Sequence, residues 1–307
     1  MAPPHSTRVL PFDDAAIAEA ARLILAGECV AMPTETVYGL AADATNATAV
    51  AHIYAAKGRP TFNPLIVHVA DLAAAKAIGA FNTDARALAD AHWPGPLTLV
   101  VPMLADAPIA SIVTAGLDTI AVRVPAHPAM QALLAAVGKP LAAPSANASG
   151  RISPTRAEHV RASLDGRIPL IVDDGGTERG IESTIIAATD GVLRLLRRGP
   201  IEVPQAVEMH SGEIESPGQL ASHYAPGKPL RLDAVDARDD EYLIGFGDVA
   251  GETTLSASGD PVEAAARLFD LLHQADASSS ASIAIAPIPG SGIAAAIRDR
   301  LARAATR

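Results

Sequence analysis

The chain has 307 residues, enough to bury a large core and, by ordinary domain sizes, to form two domains. Apolar residues make up 49% but aromatic ones only 3%, so the core must be built from Ala, Val, Leu and Ile, which suits helices packed on strands. A net charge of -10 argues against a broad electrostatic grip on nucleic acid, and a single cysteine, Cys29, rules out an internal disulfide or a cysteine-cluster zinc site.

No apolar stretch reaches the length of a bilayer-spanning helix, so no membrane association is expected. The opening Met-Ala-Pro-Pro-His-Ser-Thr-Arg is not followed by the apolar run of a secretory signal, which makes the cytoplasm the expected location.

Residues 14–26 place Ile17, Ala20, Ala21, Ile24 and Leu25 at helical spacing, with Gly27 as a cap, and a strand over 29–32 follows. That strand runs into Pro-Thr-Glu-Thr-Val-Tyr-Gly-Leu at 33–40. Two Thr hydroxyls, a carboxylate and a Tyr there stand where open α/β sheets bind ligands; the alternative is a turn in which Thr34 and Thr36 cap the next helix. Residues 46–56 read as a helix that delivers Lys57 at its C-terminal end.

The segment from Lys57 to His68 is poor core material: it holds two permanent cations, Gly58, Asn63 before Pro64, and His68 closing a short apolar strand. Gly58 would let the backbone approach a ligand. Arg59 offers a planar fork for phosphate or carboxylate and Lys57 a mobile point charge, so the pair is either an oxyanion clamp or a solvated turn.

Helices are predicted over 71–78 and 83–92, followed by a strand after Trp93, whose ring is assigned to the core. In Thr119 to Val124 strand alternation sets Thr119, Ala121 and Arg123 on one face, and Arg123 then needs an anionic partner, either an internal carboxylate or a ligand. Pro140 to Gly150 ends a strand in Ala-Pro-Ser-Ala-Asn-Ala-Ser-Gly, a loop able to lay N–H groups and hydroxyls against phosphate, although surface turns share the composition. Ser153-Pro154-Thr155 is read as a helix start, and Asp173-Asp174-Gly175-Gly176 as an Asp-Gly turn rather than a magnesium site. Strands opening at Glu182-Ser183-Thr184 and closing on Arg197-Arg198-Gly199 would supply a second wall of an anion pocket.

From Val203 to Gly227 the periodicity lapses, and the His223-Tyr224 pair is unusual for a passive spacer. Beyond it a strand–helix–strand–helix order, 242–246, 261–273, 282–286 and 292–304, reads as a small α/β domain with a parallel sheet. Residues 229–307 carry 7 Lys plus Arg against 12 Asp plus Glu, which does not suit RNA binding.

Pro33 to Leu40, Lys57 to His68, Trp93 to Val100, Val122 to Pro128, Pro144 to Gly150, Glu182 to Ile185 and Arg197 to Ile201 resemble, in order, the motifs of the YrdC/Sua5 family. His223-Tyr224-Ala225-Pro226 and the Gly290 to Ala294 pattern running into Arg300-Leu301-Ala302-Arg303 are similar to its longer, Sua5 type. The resemblance implies an α/β fold: an open twisted sheet YrdC-type domain over 1–205, a linker over 206–228 that closes on the active site, and a smaller Rossmann-like domain over 229–307. It implies L-threonylcarbamoyladenylate synthase activity on L-threonine, bicarbonate and ATP with Mg²⁺, for the t6A modification of tRNA, the product passing to the tRNA threonylcarbamoyl-transfer machinery.

Carried over residue by residue, the resemblance assigns Lys57, Arg59, Ser145 and Asn147 to the catalytic tetrad at the nucleotide. Asn63, Thr119, Ser153, Arg197 and Tyr224 would also touch ATP, and Thr34, Thr36, His68, Arg123, Ala143 and Ser183 would hold threonine; no protein metal ligand is expected. Arg198 stands where the family often has Pro, which leaves Arg197 and Arg198 as alternatives at the phosphates. Two other readings compete. A non-catalytic RNA-binding module conflicts with the acidic charge and scarce aromatics, as does direct tRNA binding, and a carbamoyltransferase of the hydrogenase-maturation type would need zinc-finger cysteines.

Overall fold

The computed structural model describes residues 6–208, 216, 218 and 222–306. The first 208 residues form β1 (Arg8–Pro11), α1 (Asp14–Leu25), β2 (Val30–Met32), β3 (Gly39–Asp43), α2 (Ala47–Lys57), β4 (Ile66–His68), α3 (Leu72–Lys76), α4 (Thr83–His92), β5 (Leu97–Pro102), α5 (Ser111–Thr114) and β6 (Thr119–Arg123). They continue through α6 (Pro128–Val137), β7 (Leu141–Ala142), α7 (Ala157–Leu164), β8 (Leu170–Asp173), β9 (Thr184–Ala187), β10 (Arg194–Arg197) and β11 (Val207–Glu208). All eleven strands belong to one mixed sheet in the order β1-β8-β2-β3-β7-β4-β6-β5-β9-β10-β11.

Side-chain alternation decides how that sheet is covered. On one face, alternate residues such as Leu40, Val67, Leu99 and Val122 pack with Val50 and Ile53 of α2, Leu88 of α4 and Val160 of α7. On the other, α1 and α6 cover only the β8-β2-β3-β7 half, through Ile24, Met130 and Leu133 against Val30, Ala41 and Leu170. Ile66, Val100, Ala121, Ile185 and Ala187 on the remaining half form a separate cluster that neither helix joins. A cleft opens there.

The second domain contains β12 (Leu230–Arg231), β13 (Glu241–Gly245), β14 (Thr253–Thr254), α8 (Pro261–Ala277), β15 (Ser282–Ile285) and α9 (Ile293–Ala305). Its sheet runs β12-β15-β13-β14 with every pair parallel, as the strand–helix alternation predicts. The two-residue strands β12 and β14 were not expected, being too short to carry a period. The domain core continues into the first domain through Val37, Ile152 and Ile181.

Two local expectations fail. Residues 33–38 lead into strand β3 rather than a helix, so Thr34 and Thr36 cap nothing. Helix α7 begins at Ala157 behind Arg156, and Ser153, read as a helix start, is instead buried with its hydroxyl turned to Glu182. Of the segment around His223, residues 209–215, 217 and 219–221 lie outside the described residues.

Candidate active site

The floor of the cleft follows from strand register. Parallel β4 and β6 set His68 beside Arg123 and Ile66 beside Ala121, so His68 and Arg123 emerge on the uncovered face. Arg123 is buried and donates to Glu35 Oε1 at 2.5 Å, Thr36 Oγ1 at 2.9 Å and the Gly95 carbonyl at 3.2 Å. The required anionic partner is therefore an internal carboxylate, Glu35, whose other oxygen has no side-chain partner among the described residues. Burial would raise the Glu35 carboxyl, but Arg123 outweighs it and holds the carboxyl below its ordinary value. Burial, aided by the positive Arg123, pushes His68 down to about 3, so it is neutral at neutral pH. Thr34 Oγ1 lies 2.9 Å from Thr36 Oγ1 and donates to the Val37 carbonyl at 2.6 Å, fixing the two hydroxyls over the strand ends.

One wall is the C-terminal end of α2. Gly58 takes φ 61°, and the left-handed turn is what requires glycine, because a Cβ there would meet open space. The turn separates the two cations. Lys57, 3% exposed, donates to the carbonyls of Ser145 and Asn147, both at 2.5 Å. Burial and the nearby Arg59 push its ammonium well below the ordinary lysine value, against the pull of those two carbonyl acceptors. Arg59 reaches the carbonyls of Asn63 at 3.2 Å and Pro64 at 2.9 Å, and burial lowers it to about 10. Neither cation is a solvated turn residue.

Asn147 spends its amide on the carbonyls of Ala148 and Arg151, at 3.0 Å and 2.8 Å, so its side chain builds the loop that presents Ser145. Asn63 is 1% exposed, and neither polar atom of its side chain has a partner among the described residues. Thr119 lies at the start of β6, in register with Pro102 of β5, and is only half buried.

The opposite wall comes from β9 and β10. Ser183 shares a 2.7 Å contact with Thr98 and accepts from Arg197 at 3.0 Å, while Arg197 also donates to the Ser183 carbonyl at 3.0 Å. A Cβ on Gly199 would fall 2.4 Å from the Thr184 nitrogen, so only glycine lets the Arg197 strand close on this wall. Arg198 points away and pairs with Glu208 at 2.5 Å, which settles that Arg197 is the one facing the cleft. Tyr224 is buried against Phe269 and His223, and its hydroxyl has no partner among the described residues. Burial lowers His223 to about 3.

Of the residues singled out in the sequence, Thr34, Thr36, Arg59, His68, Arg123, Ala143, Ser145, Ser183 and Arg197 line one cleft. Lys57, Asn63, Thr119, Asn147, Ser153 and Tyr224 are not among its lining residues: Lys57 and Asn147 brace Ser145, and Ser153 hydrogen-bonds Glu182. Sequence reasoning passed over Glu182 and Glu35 as individual site residues, although both stand inside motifs it quoted. Trp93 packs edge-on against Phe81 and donates to the Leu97 carbonyl, in the core as assigned. Asp173 accepts from the Gly175 N–H, the expected turn, and among the described residues no cluster of His, Cys, Asp or Glu could hold a metal.

A family model named for Sua5, YciO and YrdC, described as "Telomere recombination", matches residues 22–199. A second, described as "Threonylcarbamoyl-AMP synthase, C-terminal domain", matches residues 181–306. The chain is 41% identical to the threonylcarbamoyl-AMP synthase of Bacillus subtilis, over 97% of this chain and 95% of that protein. A crystal structure of Pyrococcus abyssi Sua5 complexed with L-threonine has the same fold, with TM-score 0.88 at 33% identity over 97% of each chain. A second structure of that protein, with an adjacent His and Tyr replaced by Ala, gives TM-score 0.88 at 32% identity over 97% of this chain and 96% of that one. The chain thus belongs to the Sua5/YciO/YrdC family and, by its matched C-terminal domain, to the two-domain Sua5 type.

Proposed function

We propose that this protein is an L-threonylcarbamoyladenylate synthase, acting in the cytoplasm on L-threonine, bicarbonate and ATP. The observation that carries the reading is the cleft itself: Arg59 and Arg197 in its walls and Arg123 on its floor, among hydroxyls and a neutral His68, on the uncovered half of the sheet. It is built to hold anions side by side.

The amine of threonine adds to bicarbonate with loss of water to give a carbamate. A carbamate oxygen then attacks the α-phosphorus of ATP, and the bond to pyrophosphate breaks. Two anions must meet, so catalysis is largely alignment and charge neutralisation. In this reading Arg59, Lys57 and Arg197 face the triphosphate, with Asn63, Thr119, Ser145, Asn147, Ser153 and Tyr224 around the nucleotide. Thr34, Thr36, His68, Arg123, Ala143 and Ser183 hold threonine. Glu35 and Glu182 are both committed to arginines, so a magnesium ion would be carried by the phosphates and water rather than by carboxylates of this chain. It would offset phosphate charge when bound.

We take 1–205 as the catalytic domain, 229–307 as the second domain, and 206–228 as a linker that closes over the nucleotide. The adenylate would pass to the enzymes that load it onto tRNA. Incubation with isotope-labelled bicarbonate, ATP, Mg²⁺ and L-threonine should yield labelled threonylcarbamoyl-AMP by mass spectrometry. Bound nucleotide without labelled product would contradict the assignment.

A further inference from the structure

Arg300 is the largest side chain fully out of solvent among the described residues, at 0% exposure, and it belongs to α9 of the second domain. Its Nε donates to Glu182 Oε2 at 3.0 Å, one terminal nitrogen to Asp299 at 3.0 Å and the other to the Arg198 carbonyl at 2.7 Å. The guanidinium lies 5.4 Å from the centre of the Tyr224 ring. A buried arginine of the second domain thus reaches Glu182 and the Arg198 carbonyl of the first domain and the Tyr224 ring of the segment between them.

Among the described residues Glu182 is the sole carboxylate lining that cleft, and its second oxygen accepts from the Ser153 hydroxyl. In a site for anionic ligands such a charge repels the ligand unless a fixed cation cancels it. Arg300 is that cation. The same domain grips Ser153 from the other side, where His273 of α8 lies 3.2 Å from the Ser153 carbonyl. The carbonyls of Ala265 and Ala266 approach Gly180 so closely that a Cβ there would lie 2.4 Å from each. The second domain is pressed against the wall that holds Ser153, Glu182 and Ser183.

We propose that Arg300 is a positioning residue for the nucleotide: it cancels and orients Glu182, which fixes Ser153, and it holds Tyr224, so the cleft accepts a nucleoside triphosphate only when α9 is docked. The inference rests on the ATP reading above, and it goes further by giving the second domain a part in nucleotide binding.

The test uses the full chain, with calorimetric binding of a non-hydrolysable ATP analogue with Mg²⁺ and, separately, of L-threonine. Arg300→Met should weaken nucleotide binding about tenfold or more while L-threonine affinity stays within about threefold. Adding Glu182→Gln to Arg300→Met should restore part of the nucleotide affinity, because the uncancelled carboxylate is gone; a purely structural arginine would show no such rescue. Should Arg300→Met not fold, the Glu182→Gln/Arg300→Met pair, which removes both charges of the ion pair, is compared with Arg300→Lys, and it should bind nucleotide within about threefold of the unaltered chain. Unchanged nucleotide affinity in Arg300→Met, or parallel loss of both ligands without rescue, would overturn the proposal. The affinity of the unaltered chain for the analogue, measured alongside, bears on the ATP reading by itself.

Discussion

Arg123 and Glu35 form a buried ion pair 2.5 Å apart on the cleft floor, joining the end of β6 to the Thr34–Thr36 loop. Removing one partner of such a pair strands a charge out of water. Arg123→Met should therefore cost about 3–5 kcal/mol of stability at neutral pH and abolish L-threonine binding. The sign of its pH dependence is fixed. With Arg123 present, Glu35 sits below its ordinary 4.5 in the folded state, so its contribution is complete above that value and lost as pH falls through the lower folded value. Without Arg123, burial, the largest influence, raises the carboxyl against only the backbone N–H groups of Glu35 and Ala126, so the stability gap between variant and parent should narrow as pH falls from neutral toward 4.5. Denaturant midpoints across that range measure it, and a constant gap would speak against the pair.

Lys57 and Arg59 both hold loop carbonyls, Arg59 lining the cleft and Lys57 standing behind Ser145, so a change at either predicts two effects. Each change to Ala should lower stability by about 1–3 kcal/mol and turnover by about tenfold or more, with the fold retained. Circular dichroism and steady-state rates separate the two. Near-normal turnover in both variants would remove them from the site.

Asn63 and Tyr224 are each 1% exposed and carry polar atoms with no partner among the described residues. An unpaired polar group out of water costs free energy until a ligand satisfies it. Tyr224→Phe keeps the stack on Phe269 and should leave thermal stability unchanged while weakening ATP binding about tenfold. Asn63→Leu should do the same. Loss of stability with intact nucleotide affinity would mean that both groups serve the fold alone.

His159 of α7 and His273 of α8 stack at 3.8 Å across the domain boundary, and burial lowers each to about 4. Asp270, 3.5 Å from His159, favours the charged form, while Arg156 beside His159 opposes it; Asp276 and Asp270 act likewise on His273. Because the folded values lie below the ordinary 6.5, the stability they contribute is full above 6.5 and falls away as pH drops toward 4. Each histidine adds a slope of up to about 1.4 kcal/mol per pH unit in that window. His159→Gln with His273→Gln should flatten the acid limb of stability against pH, with His68, His127, His223 and Glu35 among the groups that keep part of the slope. An unchanged slope would contradict the assignment.

The sequence made Lys57 legible because the helix read over 46–56 delivers it at its C-terminal end, and Arg123 because strand alternation fixes its face. What it withheld were pairings across long separations. Glu35 is 88 residues from Arg123, and Arg300 is 118 from Glu182, so no local period links them. β12 and β14 escaped because two residues carry no alternation, and the cap that Gly58 makes was passed over because a cap and a close approach demand the same residue.

The most direct test of the account is pyrophosphate release by the purified full chain with ATP and Mg²⁺, with L-threonine and bicarbonate each present or omitted. Release that requires both, matched by the labile adenylate, is the predicted result. Tight nucleotide binding with no release when both are supplied would contradict it.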